Sequence, residues 1–248
     1  MTGLWLLLAT GVGLGALAAA TARPPAVAVP DRDGYFARWA GSHGGYDPRA
    51  GAAVVRLWLG LTFRLGRPLA RRGVLPGVVT LAGAWVAAAV LPPAAAGGRW
   101  PLLAAAVVVA SALLDNLDGC VAVLSGRATA WGYVLDSLVD RACDVGYLVA
   151  LWLLGAPGWV VVAAGGTAGL LEYARARAAA AGFDEIGVVT VGERPTRVIV
   201  TAVALCCAGL VPARADLAAG LGAGATLGVC AVGLAQLLVV VRRGLLAR

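Results

Sequence analysis

The chain has no lysine, one histidine, one methionine and only three phenylalanines in 248 residues. Charged residues make up just 13%, against 60% hydrophobic ones. So little charge excludes an ordinary soluble domain. The isolated His43 lacks neighbours with which to build a ligand set. The five cysteines, Cys120, Cys143, Cys206, Cys207 and Cys230, form no CxxC pair and no disulfide framework. They lie in or near apolar stretches, where a free thiol behaves as a small apolar group. No internal repeat of the transporter kind is visible. No RNA- or DNA-binding motif accompanies the net charge of +7, so that charge points to anionic lipid and away from nucleic acid.

What is present is apolar sequence at membrane length. Spans are predicted near 4–21, 75–93, 101–124, 131–154, 158–180, 195–212 and 219–241. Abundant Gly and Ala suit close helix packing in lipid. The expected fold is therefore all-α, a polytopic transmembrane helical bundle. Residues 1–22 read as an extra N-terminal helix. Ala20-Thr21-Ala22 has the look of a signal-peptide end, but no Arg precedes the apolar run and cleavage would export the Arg-rich 56–72 stretch. Residues 23–48 read as a linker with little structure, rich in Pro, Gly and charge. Residues 49–73 read as a juxtamembrane amphipathic helix, and 74–248 as the transmembrane domain.

All the basic residues are arginines, and their placement predicts topology. Arg56, Arg64, Arg67, Arg71, Arg72, Arg127, Arg175, Arg177, Arg194, Arg197, Arg242, Arg243 and Arg248 fall on one side, Arg99 and Arg214 on the other. The richer side should face the cytoplasm of a multi-pass cell-membrane protein.

Five acids interrupt the apolar sequence LLDNLDGCVAVLSGRATAWGYVLDSLVDRACDVGYL: Asp115, Asp118, Asp136, Asp140 and Asp144. One such residue at a helix centre costs roughly 2.5–3.5 kcal/mol on insertion scales. Asp115 and Asp118 share a helix face, and Asp136, Asp140 and Asp144 share another. Only Arg127 and Arg141 lie among them. The partner that suits clustered carboxylates is a hard divalent cation, Mg²⁺ or Mn²⁺. Two helices each offering two carboxylates describe a two-metal site. A proton relay, an ion path or plain buried acids are the other readings of the spacing.

The pattern resembles the signature of the CDP-alcohol phosphotransferase family, D-x2-D-G-x2-A-R-x8-G-x3-D-x3-D. Asp115, Asp118, Gly119, Ala122, Gly132, Asp136 and Asp140 match it, and Val123 stands where the family has Arg. Arg127, four residues on and expected on the same helix face, is the candidate replacement. Upstream, LPGVVTLAG resembles the family's P-N-x-x-T element through Pro76 and Thr80, with Gly77 in the Asn place. Downstream, EYARAR and ERPTR resemble the Y-x-K-A-R and E-R-x-x-R elements of actinobacterial phosphatidylinositol-phosphate synthases.

The resemblance implies a six-helix core, two divalent ions on Asp115, Asp118, Asp136 and Asp140, and Asp140 as general base. It implies nucleotide contacts at Pro76, Thr80, Gly119, Ala122 and Arg127, and acceptor-phosphate contacts at Arg175, Arg177, Arg194 and Arg197. The expected reaction moves a phosphatidyl group from CDP-diacylglycerol to inositol 1-phosphate, releasing CMP. Glycerol 3-phosphate is the alternative acceptor, and family members are commonly homodimers. A transporter is the reading from another class, which the converging arginines disfavour.

Overall fold

The computed structural model describes residues 2–42, 47–183 and 189–247; His43 lies outside them. Among the described residues there is no strand. The helices are α1 (Thr2–Thr21), α2 (Arg32–Ser42), α3 (Ala53–Arg71), α4 (Pro76–Ala88), α5 (Leu91–Ala96), α6 (Pro101–Ser125), α7 (Ala130–Leu153), α8 (Gly158–Ala180), α9 (Arg194–Leu210) and α10 (Ala215–Leu246). Every predicted span has a helix at its place. Three stretches, Pro76–Ala96, Pro101–Ser125 and Pro212–Leu246, are long and apolar enough by themselves to cross a membrane. The other predicted spans are occupied by helices that carry charge or are shorter. Asp136, Asp140, Arg141 and Asp144 interrupt α7, Glu172, Arg175 and Arg177 interrupt α8, and α9 has only 17 residues. The protein is a helical membrane bundle.

Two compact units divide the chain. The first is Met1–Val86 with Ala110–Asp140; the second is Ala87–Val109 with Arg141–Arg248.

The first unit corrects the linker expectation for 23–48, because α2 lies inside that stretch. Tyr35, Phe36 and Trp39 recur at helical spacing and form an apolar stripe within a polar segment. Tyr35 and Phe36 are almost wholly buried. The Tyr35 ring stacks on Phe63 at 5.6 Å, and the Arg32 guanidinium sits 5.1 Å from the centre of the Phe36 ring. Asp31 caps the helix by accepting from the Gly34 N–H at 2.9 Å. Burial pushes the Tyr35 hydroxyl far above the usual phenol range.

Helix α3 carries two stripes. Leu59, Thr62, Phe63, Gly66 and Ala70 are buried, while Val54, Leu57, Leu61 and Leu65 are exposed. The buried stripe joins Tyr35, Phe36, Leu117, Val121 and Leu124 in one core. Both α3 and α6 end at a glycine in the left-handed region. At Gly73 (φ +76°) the Val74 N–H returns to the Leu69 carbonyl at 3.1 Å. At Gly126 (φ +66°) the Arg127 N–H returns to Ala122 at 3.0 Å. Each is a six-residue closure that satisfies a last-turn carbonyl, and glycine carries the positive φ without penalty.

In the second unit α10 packs on α8 and α9. The approach depends on small residues: a Cβ at Gly222 would stand 2.5 Å from the Ala204 Cβ, and one at Gly233 2.9 Å from the Gly192 backbone. Thr201 and Thr226 each donate to the carbonyl four residues back, at 3.0 Å. Polar hydroxyls are thus satisfied inside apolar helices.

Candidate active site

Three of the expected carboxylates converge within the first unit. Oxygens of Asp115, Asp136 and Asp140 all lie within 4.8 Å of one another, each residue half-buried. Asp115 comes from α6, and Asp136 and Asp140 from successive turns of α7. Thr129 sets the start of α7, since its Oγ1 accepts from the Gly132 N–H at 3.0 Å. Carboxylates this close repel one another, and a hard cation bound by oxygen is the natural compensation. The donor set fits such an ion.

Asp118 is held differently from the expected equal share in a four-acid set. It is buried, and its Oδ2 accepts from the Thr80 hydroxyl at 2.6 Å. It still lies close enough to Asp136 and Asp115 to feel their charge. Thr80 therefore positions this carboxylate from α4.

Beside these acids opens a cavity of about 780 Å³. Pro76, Thr80, Gly119, Ala122 and Arg127, the five expected nucleotide contacts, all line it. No heavy atom of another element lies within 4 Å of where a Gly119 Cβ would stand, so that wall is open to a ligand. Arg127 reaches the cavity from the loop after α6, which corrects the expectation of a shared helix face; Gly126 ends the helix one residue earlier. Val123 also lines the cavity and packs against the aromatic core.

The basic constellation lies in the second unit. Arg197 is buried, with NH2 3.1 Å from both Asp144 and Glu172 and NH1 donating to the Gly192 carbonyl at 2.6 Å. Arg175 donates to Glu193 at 2.6 Å. Arg141 sits 2.8 Å from Glu172 and 3.5 Å from Asp144. Arg194 lies 3.9 Å from Asp144. Arg177 is exposed on another face of α8 and forms no ion pair among the described residues. Among the described residues, four of these five guanidiniums thus converge on three carboxylates, leaving one excess positive charge.

The sequence profile of the CDP-alcohol phosphatidyltransferases matches residues 73–240. The chain belongs to that family. Among its relatives is the archaetidylinositol phosphate synthase of Pyrococcus horikoshii, 30% identical over 142 residues, 57% of this chain and 74% of that one. Another is the phosphatidylinositol phosphate synthase of Mycolicibacterium smegmatis, 36% identical over 149 residues, 55% of this chain and 65% of the relative. The crystal structure of the Mycobacterium tuberculosis phosphatidylinositol phosphate synthase with manganese and citrate superposes with a TM-score of 0.61 at 27% identity. It covers 73% of this chain and 88% of that one. The same enzyme with CDP-DAG bound gives a TM-score of 0.58 at 27% identity, over 72% and 94% of the two chains.

Membership of the CDP-alcohol phosphatidyltransferases decides for an enzyme and against an ion path. Within this family member, sequence reasoning missed Glu172 and Glu193 as partners of the arginines, and Arg141 as a partner of Asp144 and Glu172. Glu172 was an acid inside an apolar run, the same signal that marked the five aspartates. Asp144 was read as continuing their stripe, yet it faces guanidinium groups.

Proposed function

We propose that the protein transfers a phosphatidyl group from CDP-diacylglycerol to a hydroxyl of inositol 1-phosphate and releases CMP. The observation that carries this reading is the Asp115, Asp136 and Asp140 triad beside a cavity lined by every expected nucleotide contact. Family membership, the names of the relatives and the CDP-DAG-bound neighbour support it.

Two divalent ions, Mg²⁺ or Mn²⁺, held by Asp115, Asp118, Asp136 and Asp140 would neutralise the diphosphate and stabilise the departing CMP. Thr80 keeps Asp118 turned toward its neighbours. Asp140 is the general base, taking the acceptor hydroxyl proton as that oxygen bonds to the β-phosphorus and the bond to CMP breaks. Gly119 and Ala122 leave room for the nucleotide, and Pro76 and Arg127 border it. Arg175, Arg177, Arg194 and Arg197 bind the acceptor phosphate through their excess charge, with buried Arg197 fixing the arrangement.

The chain crosses the cell membrane several times, with its Arg-rich side and active site toward the cytoplasm. Residues 74–248 form the catalytic domain, residues 1–22 an added membrane helix, and the exposed leucine stripe of α3 lies in the membrane surface. A second copy of the chain is the expected partner.

The test is an acceptor screen with purified protein, CDP-diacylglycerol and Mg²⁺ or Mn²⁺, scoring CMP and lipid product. Metal-dependent CMP release with inositol 1-phosphate is expected. Preference for glycerol 3-phosphate would replace the acceptor and keep the reaction; no CMP release with any acceptor would sink it.

A further inference from the structure

Residues 23–29 leave α1 and precede the 73–240 family match, yet they are bound to the site region at four points. The Arg23 N–H donates to the Gly73 carbonyl at 2.9 Å, and the Ala26 N–H to the Ser125 carbonyl at 2.8 Å. The Arg127 guanidinium donates to the Pro24 carbonyl. Val27 fills the space over Gly126, where a Cβ would stand 2.9 Å from it. The segment is thus a strap tied to the turns that end α3 and α6. A Cβ at Gly73 would collide with the Arg23 carbonyl, so the tie needs that glycine.

The strap brings Arg23 into the cavity lining. Among the described residues, four charged ones line that cavity: Asp118, Asp136, Arg23 and Arg127. Asp118 lies eight residues before Gly126, about 12 Å along α6. The cavity therefore has an anionic part in the helices and a cationic part at the strapped end. Arg127 already spends one nitrogen on the strap. Arg23 is exposed, and its side chain makes no hydrogen bond or ion pair among the described residues. Arg23 thus brings an uncommitted guanidinium to the lining of the cavity proposed to take the anionic nucleotide.

We infer that Arg23 is a donor-binding residue: the strap ahead of the family domain supplies a guanidinium to the phosphates of the CDP portion, from the end of the cavity away from the carboxylates. This rests on the proposed CDP-linked donor. It also gives the N-terminal addition a role in the reaction beyond anchoring.

The test is CDP titration, by calorimetry in Mg²⁺, of full-length protein and of Arg23→Gln and Arg23→Lys, with donor and acceptor KM measured alongside. Arg23→Gln should weaken CDP and raise donor KM by about 10-fold. Arg23→Lys, which keeps the charge and loses the fork, should stay within about threefold. Acceptor KM and thermal stability should not move. Wild-type affinity in Arg23→Gln, or an equal fall in both variants, overturns the inference. So does failure of Arg23→Gln to fold, which would assign the side chain to the fold. Wild-type protein that binds no CDP would sink the CDP-donor reading itself.

Discussion

The two units solve the same electrostatic problem in opposite ways. In the first, Asp115, Asp136 and Asp140 gather with one another in a donor set that fits a divalent cation. In the second, Asp144, Glu172 and Glu193 are each met by guanidinium, and the compensation is internal. An acid inside an apolar helix is costly in either place. The same residue type, one helical turn apart on α7, meets other carboxylates at Asp140 and guanidinium groups at Asp144. Which role it takes depends on what faces it.

The comparison breaks most sharply under chelation. EDTA should abolish CMP release, and Mg²⁺ or Mn²⁺ should restore it; Asp136→Asn should lose most activity even in excess metal. Full turnover in EDTA would mean that the first unit needs no outside cation after all. Next comes Asp140→Asn, expected to lower turnover by about 10²- to 10⁴-fold while CDP binding survives. Turnover near wild type there would hand the proton to another group.

The second unit should respond in stability. Arg197→Ala leaves buried Asp144 with only the longer contacts to Arg141 and Arg194, a loss of about 3–5 kcal/mol read by thermal unfolding in detergent. An unchanged melting temperature would show that Arg141 and Arg194 neutralise that acid unaided. The smallest effect belongs to Arg177→Ala. An exposed charge is worth about 0.2–1 kcal/mol, so acceptor KM should rise by roughly 1.4- to fivefold with donor KM unchanged. No change in acceptor KM would remove Arg177 from the phosphate site and leave it a topology signal.

Much of this was legible in residue order because it is local. Acids three and four apart must share a helix face. The four motif aspartates and the five nucleotide contacts come from four short windows, and helix geometry alone puts each window's residues on a common side. Helix α2 was harder to see, because Tyr35, Phe36 and Trp39 sit in a stretch whose average composition is that of a loop. Its stability comes from burial against Phe63, which no local pattern records.

The sequence by itself determined the apolar helices, the acid spacing and the family. Only the tertiary structure decided that Asp118 turns to Thr80, that Arg197 is enclosed by Asp144 and Glu172, and that the strap brings Arg23 to the cavity. Those pairings join residues 38, 53 and 25 positions apart, and the strap spans more. Periodicity fixes which face a side chain occupies; only packing between distant segments fixes what that face meets.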